Sequence, residues 1–189
     1  MAAKQFPGGV WPVMLTPYTP DNRVDTDALA RLTDWYIGRG VSGLFAVCQT
    51  SEMFFLSLKE REVAARTVVT AAAGRVPVIA SGHVSDGEEA QAEELSRIAA
   101  TGVDAAILIT NRLAAEHESD EVWLDRLHRL LTRIDPDIPL GFYECPYPYK
   151  RLLTPGLIEE ALKLNRFHFL KDTCCDVEQI LKKQALIRN

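Results

Sequence analysis

No apolar run in this chain approaches the roughly 18 residues that a membrane span needs. The opening MAAKQFPGG lacks the apolar centre of a secretory signal. Excess positive charge is absent: 21 Lys and Arg face 26 Asp and Glu, a net charge of −5, and acids and bases are interspersed. Without a basic patch, nucleic acid and anionic membrane are not expected partners. No GxGxxG or P-loop follows any apolar run, which weakens a nucleotide-binding reading. Cysteine is sparse, four in 189 residues (Cys48, Cys145, Cys174 and Cys175). That number suits a reducing compartment better than a disulfide framework, and the expected location is the cytoplasm. The cysteine spacing matches no zinc pattern, so no metal site is expected, and the Cys174–Cys175 pair reads as packing.

Against these absences stands a regular alternation. Short apolar runs occur at 11–15 (WPVML), 43–47 (GLFAV), 76–80 (VPVIA), 104–109 (DAAILI), 138–142 (IPLGF) and 167–170 (FHFL). Runs apolar on both faces are the mark of parallel strands covered on both sides. Helical periodicity fills the gaps at 25–38, 58–73, 86–100, 119–134, 154–164 and from 176 onward. Asp25, Ser57, Asp86, Ser119, Thr154 with Pro155, and Asp176 stand where caps belong. GRGVSGLFAV (38–47) and ATGVDAAILI (100–109) repeat one design, in which a glycine of positive φ ends a helix and turns into a strand. The expectation is one α/β domain over residues 1–189 with about six βα units. Chain length favours a doubly wound open sheet, because a closed barrel takes eight units and typically about 250 residues.

The strand ends favour the barrel. Chemistry gathers at the C-terminal ends of parallel strands. Those ends carry Thr16 and Tyr18; CQTSE (48–52); His83; Thr110 to Arg112; YECPYPYK (143–150); and Lys171 with Asp172 and Thr173. A lysine closing an apolar run is either a solvated strand end or a nucleophile made neutral by a dry pocket. A neutral Lys171 amine condenses with a ketone to an imine, an electron sink. Tyr143 can move the protons this requires. Hydroxyls and N–H groups at a strand-to-helix turn can hold a carboxylate. Together these groups describe a class I aldolase acting on a 2-oxo acid such as pyruvate. Gln49, Thr50, Ser51 and His83 are the candidate substrate-binding residues. Glu52 reads as a loop anchor, and Tyr147 and Tyr149 as loop-shaping residues.

These segments resemble the dihydrodipicolinate synthase and N-acetylneuraminate lyase family of Schiff-base aldolases. GVWPVMLTPYTPDNRVD resembles its first strand and loop. VCQTSE stands where the family has Gly-Thr-Thr-Gly-Glu or Gly-Ser-Thr-Gly-Glu. PLGFYECP resembles its Tyr-Asn-X-Pro segment and FLKDT its lysine segment. The resemblance implies a TIM (β/α)8-type barrel, here incomplete, and usually a homo-tetramer. It implies Lys171 as the Schiff-base lysine, Tyr143 as the proton-transfer group and Thr50 as a carboxylate-binding hydroxyl, with no cofactor beyond the covalent lysine imine. Gln49 and Ser51 replace a hydroxyl residue and a glycine. Leu113 and Pro148 stand about where the synthase carries a relay tyrosine and an arginine. The expectation is therefore a divergent, C-terminally truncated lyase or dehydratase. The alternative is an inactive member that only binds a small carboxylate or assembles with partner chains.

Overall fold

Helices and parallel strands alternate along the chain in the order α1 (Thr26–Gly38), β1 (Leu44–Phe45), α2 (Leu58–Ala72), β2 (Val78–Ser81), α3 (Glu88–Ala99), β3 (Ala105–Ile109), α4 (Asp120–Leu131), β4 (Leu140–Tyr143), α5 (Pro155–Lys163), β5 (Phe167–Lys171) and α6 (Val177–Arg188). This computed structural model describes residues 6–188; Met1 to Gln5 of the opening MAAKQFPGG lie outside the described residues, as does Asn189. Every expected strand but the first forms as an element. Residues 11–15 make only one parallel bridge, Val13 to Phe45, with the Met14 N–H on the Phe45 carbonyl and the Phe45 N–H on the Pro12 carbonyl, both 3.0 Å. Pro12 and Pro17 have no N–H to offer a ladder, which keeps the pairing short.

The five strands lie in the sheet in chain order, all parallel. A doubly wound sheet would reverse its order at a switch point; this one does not. The sheet also curls. Phe45 of β1 meets Tyr143 of β4 at 5.8 Å between centroids and Phe169 of β5 at 6.2 Å, although neither strand is its neighbour. Trp11 meets Phe169 at 5.3 Å, joining the first segment to the last strand across the concave face. The architecture is the wall of a (β/α) barrel, as the strand ends indicated and against the length argument.

Local chemistry explains the elements. Asp25 accepts the Ala28 N–H, Ser57 and Glu60 form a reciprocal capping box, and Ser119 and Thr154 cap α4 and α5, with Pro155 in the first turn of α5. Asp176 accepts the Gln179 N–H at 3.1 Å. Asp86 is not a cap: α3 starts from Gly87, and Asp86 pairs with Arg112 at 2.7 Å. Glu88 and Glu89 supply negative charge to that first turn instead. Gly40 and Gly102, at matching positions of the sequence repeat, take φ of 80° and 91°. On the convex face Trp123 of α4 is fully buried against Phe142 and gives its Nε1–H to the Thr110 carbonyl at 2.8 Å. Each buried Leu, Ile or Val side chain there contributes about 1.5–3 kcal/mol.

Candidate active site

β4 and β5 end side by side, with Tyr143 opposite Lys171 in the ladder. The Lys171 Nζ lies 4.2 Å from the Tyr143 ring centroid and 5.7 Å from that of Phe45. A register shift puts both groups on the concave face. Leu140 pairs with Phe167, but Gly141 pairs with Phe169, so β5 carries an extra residue there. Phe167 stacks on Phe142 on the convex side, centroids 4.1 Å apart. Strand alternation would then send Phe169 and Lys171 outward as well. The bulge reverses the face, and both point inward. Lys171 is half-buried.

Tyr143 is almost fully buried. Burial pushes its phenol well above the ordinary value, and the neighbouring Cys145 adds to the shift. Its hydroxyl donates to Gln49 Oε1 at 3.4 Å, and the Cys145 thiol reaches the same oxygen at 3.5 Å. Gln49 opens a single short turn, Gln49–Ser51, just after β1, and Thr50 stands exposed on it. Lys171, Tyr143 and Gln49 are therefore brought together, with Thr50 beside Gln49 in sequence.

Ser51 and His83 are placed differently from the sequence expectation. Ser51 is fully buried. Its hydroxyl faces the carbonyls of Met14 (2.6 Å) and Ala46 (3.1 Å) and accepts the Cys48 N–H (3.2 Å). Thr16 donates to the Ser51 carbonyl at 2.7 Å. Ser51 thus ties its turn to the first segment. His83 is also fully buried, and its Nδ1 accepts the Ile109 N–H at 3.0 Å, continuing the β2–β3 ladder in place of a carbonyl. Burial lowers its pKa to about 4. Both side chains are engaged with backbone groups. Glu52 holds a left-handed conformation (φ 61°) and accepts the Tyr18 hydroxyl at 3.2 Å, as a loop anchor would.

The loop after β4 hangs on Asn111, whose Nδ2 faces the carbonyls of Cys145 (2.9 Å), Tyr147 (2.9 Å) and Tyr149 (2.5 Å). Tyr149 returns a hydrogen bond to the Asn111 carbonyl, and Tyr147 packs edge-on against Phe54. All four cysteines are free thiols. Among the described residues, no group of three His, Cys, Asp or Glu side chains is placed to hold a metal ion. No described helix is long and apolar enough to cross a membrane. A groove of about 620 Å³ between α1 and α2, lined by Asp27, Lys59, Glu62 and Arg66 among others, contains none of the candidate groups.

One cluster escaped the sequence reading. Glu144, fully buried next to Tyr143, binds the Lys183 ammonium of α6 at 2.5 Å, and Lys183 also binds Asp172 at 2.6 Å. Burial pushes the Asp172 carboxyl up, but hydrogen bonds from Cys174 and Lys183 outweigh it and hold the group below its ordinary value. Burial likewise works against the Lys183 charge, and the two carboxylates overcome it.

Fold and site define a (β/α) barrel wall with an amine and a phenol at the C-terminal ends of adjacent strands. The model of the Dihydrodipicolinate synthetase family matches residues 6–189, and the chain belongs to that family. The 4-hydroxy-tetrahydrodipicolinate synthase of Roseobacter denitrificans is 31% identical over 178 residues, covering 94% of this chain and 59% of the relative. The N-acetylneuraminate lyase of Salmonella paratyphi A is 30% identical over 173 residues, covering 91% and 57%. YagE, a prophage protein of the dihydrodipicolinic acid synthase family from E. coli K12 solved in complex with pyruvate, superposes with a TM-score of 0.82 at 23% identity, a likeness of fold covering 95% of this chain and 59% of that one. The chain thus spans somewhat under three fifths of the length of these relatives, and the resemblance read from its motifs is borne out.

Proposed function

We propose that the protein is a Schiff-base-forming lyase, or a related dehydratase, acting on pyruvate or another 2-oxo acid through Lys171. One observation carries the reading: the Lys171 amine stands 4.2 Å from the ring of Tyr143, its ladder partner, at a barrel mouth. In the lyase direction the neutral amine adds to C2 of the 2-oxo acid. The carbinolamine loses water to an iminium, with Tyr143 passing the protons. In a 4-hydroxy-2-oxo acid, Tyr143 then takes the C4 hydroxyl proton as C4=O forms and the C3–C4 bond breaks, its electron pair moving into the iminium to give an enamine and an aldehyde. Protonation at C3 and hydrolysis return pyruvate and free Lys171. Thr50, exposed beside Gln49, supplies a hydroxyl for the substrate carboxylate, and Gln49 orients the Tyr143 phenol.

The chemistry uses no dissociable cofactor; the lysine imine is the electron sink. Support comes from the relatives, named as a synthase and a lyase, and from the pyruvate in the YagE complex. Four free thiols favour a reducing, cytoplasmic setting. Exposed Val10 and Leu15 near the first segment, with Val177 and Leu181 on α6, favour a homo-oligomer.

Enamine formation exchanges the C3 protons of pyruvate with solvent. In D2O the pyruvate methyl signal should disappear from the proton NMR spectrum with the wild type and persist with Lys171→Ala. Exchange no faster than buffer alone, with folded protein, would overturn the reading and leave a member that binds or assembles without turnover.

A further inference from the structure

Behind Lys171 lies a buried ion cluster that the reaction above does not use. Glu144 grips the Lys171 turn with both backbone and side chain. Its N–H donates to the Lys171 carbonyl at 3.1 Å. Its carbonyl accepts the Thr173 hydroxyl at 2.6 Å, and its carboxylate accepts the Thr173 N–H at 3.0 Å. The strand end is thus held on both sides of the residue between, Asp172. The same carboxylate accepts the Leu153 N–H at 2.8 Å and the Lys183 ammonium at 2.5 Å. Lys183, also buried, reaches Asp172 at 2.6 Å, 11 residues back along the chain.

Burying two charges and half-burying a third is a poor way merely to attach a helix. Apolar side chains of similar volume often do so with equal or greater stability. Here every charge converges on the turn that follows Lys171. Two carboxylates and one ammonium leave a net charge of −1 there. Beside the Lys171 amine stand Tyr143 and Cys145, both pushed up by burial, with Cys48 acting on each of them. Lys150 adds a positive charge on the Thr173 carbonyl at 2.9 Å.

We propose that Lys183 is a positioning residue for Lys171: through Glu144 and Asp172 it fixes the 171–173 turn and sets the charge behind the amine, so that α6 governs how much Lys171 is neutral and ready to attack a 2-oxo acid. The proposal rests on the Schiff-base reading of Lys171. Its expectations are signed. Lys183→Met leaves two carboxylates without their ammonium, and Glu144 keeps the N–H groups of Leu153 and Thr173. A more negative surround makes Lys171 keep its proton to higher pH. Glu144→Gln or Asp172→Asn brings the cluster to neutrality and does the reverse.

Trace acetylation of the full chain with acetic anhydride across a pH series, read at Lys171 by peptide mass spectrometry, measures the amine directly and needs no turnover. The midpoint should rise by about half a pH unit or more in Lys183→Met and fall by a similar amount in Glu144→Gln and Asp172→Asn. Lys183→Arg, which keeps the charge, should stay close to wild type. Circular dichroism identifies the folded variants. Asp172→Asn preserves the Glu144–Lys183 pair and carries the test if the others unfold. Midpoints that stay put in folded variants, or that all move one way, overturn the proposal. The signed series without any enzyme-catalysed exchange of pyruvate protons supports the charge-setting role and overturns the Schiff-base reading instead.

Discussion

Gly141 of β4 and Phe169 of β5 touch so closely that a Cβ on Gly141 would stand 2.8 Å from the Phe169 carbonyl oxygen and 2.9 Å from its Cβ. This contact sits at the register shift that turns Lys171 to the concave face. Gly141→Ala must push the strands apart or displace Ile107, whose Cδ1 would lie at 2.6 Å. The expected cost is about 1–3 kcal/mol, the range for overpacking. Gly156→Ala, with nothing within 4 Å, should be neutral or stabilising by up to about 1 kcal/mol. Urea denaturation of the two variants side by side checks the contrast; equal midpoints would contradict it.

Ser51 and Thr50 should separate stability from binding. Ser51→Ala removes a buried hydroxyl that accepts the Cys48 N–H and donates toward the carbonyls of Met14 and Ala46, at a cost of about 1–3 kcal/mol. Pyruvate affinity should change little in the fraction that remains folded. Thr50→Val, at an exposed position, should leave stability within about 0.5 kcal/mol and weaken 2-oxo acid binding. Calorimetric titration with pyruvate, paired with denaturation, decides. The opposite pattern would return Ser51 to the substrate pocket.

Tyr143→Phe keeps the ring that packs on Phe45 and lies beneath the Lys171 Nζ, and removes only the hydroxyl. Folding should survive. Exchange of the pyruvate C3 protons should slow by about 100-fold or more, the usual scale for losing a general acid–base. An unchanged rate would make Tyr143 a packing residue.

His83 predicts a pH dependence of stability. Burial, with Arg112 adding to it, lowers its pKa from 6.5 to about 4 in the folded protein, while Gln91 and Glu94 work the other way. Above pH 6.5 the imidazole is neutral in both states, and its contribution is fully present. As pH falls from about 6.5 to about 4, the unfolded chain takes up a proton that the folded chain refuses, and about 3 kcal/mol of stability is lost. Urea midpoints measured at pH 7 and pH 5 should differ in the wild type. They should differ much less in His83→Asn, whose amide oxygen offers the Ile109 N–H another acceptor. An equal pH dependence in both would remove His83 as the cause.

The strands from 43 onward were legible because each is a short apolar run between capped helices, and local composition decides both. Residues 11–15 have the same composition, yet pair at a single bridge because their ladder depends on prolines that cannot donate. The convergence of Lys171 and Tyr143 was legible because each ends an apolar run, and strand ends in this fold converge. The burial of Ser51 and His83 was not legible, because a polar residue at a strand end reads as facing the mouth, whereas these two meet backbone groups inside it. Glu144 lay in plain view between Tyr143 and Cys145, and a glutamate there needed a buried partner. Nothing local pointed to Lys183, which is 39 residues away on a helix whose packing the sequence does not specify.

The central claim, that Lys171 forms an imine with a 2-oxo acid, is met most directly by borohydride trapping. Protein incubated with pyruvate and borohydride, then digested and mapped by mass spectrometry, should carry a reduced pyruvyl group on the Lys171 peptide. Lys171→Ala should carry none. An adduct on Lys150 or Lys183 instead, or no adduct on a folded preparation, would contradict the account.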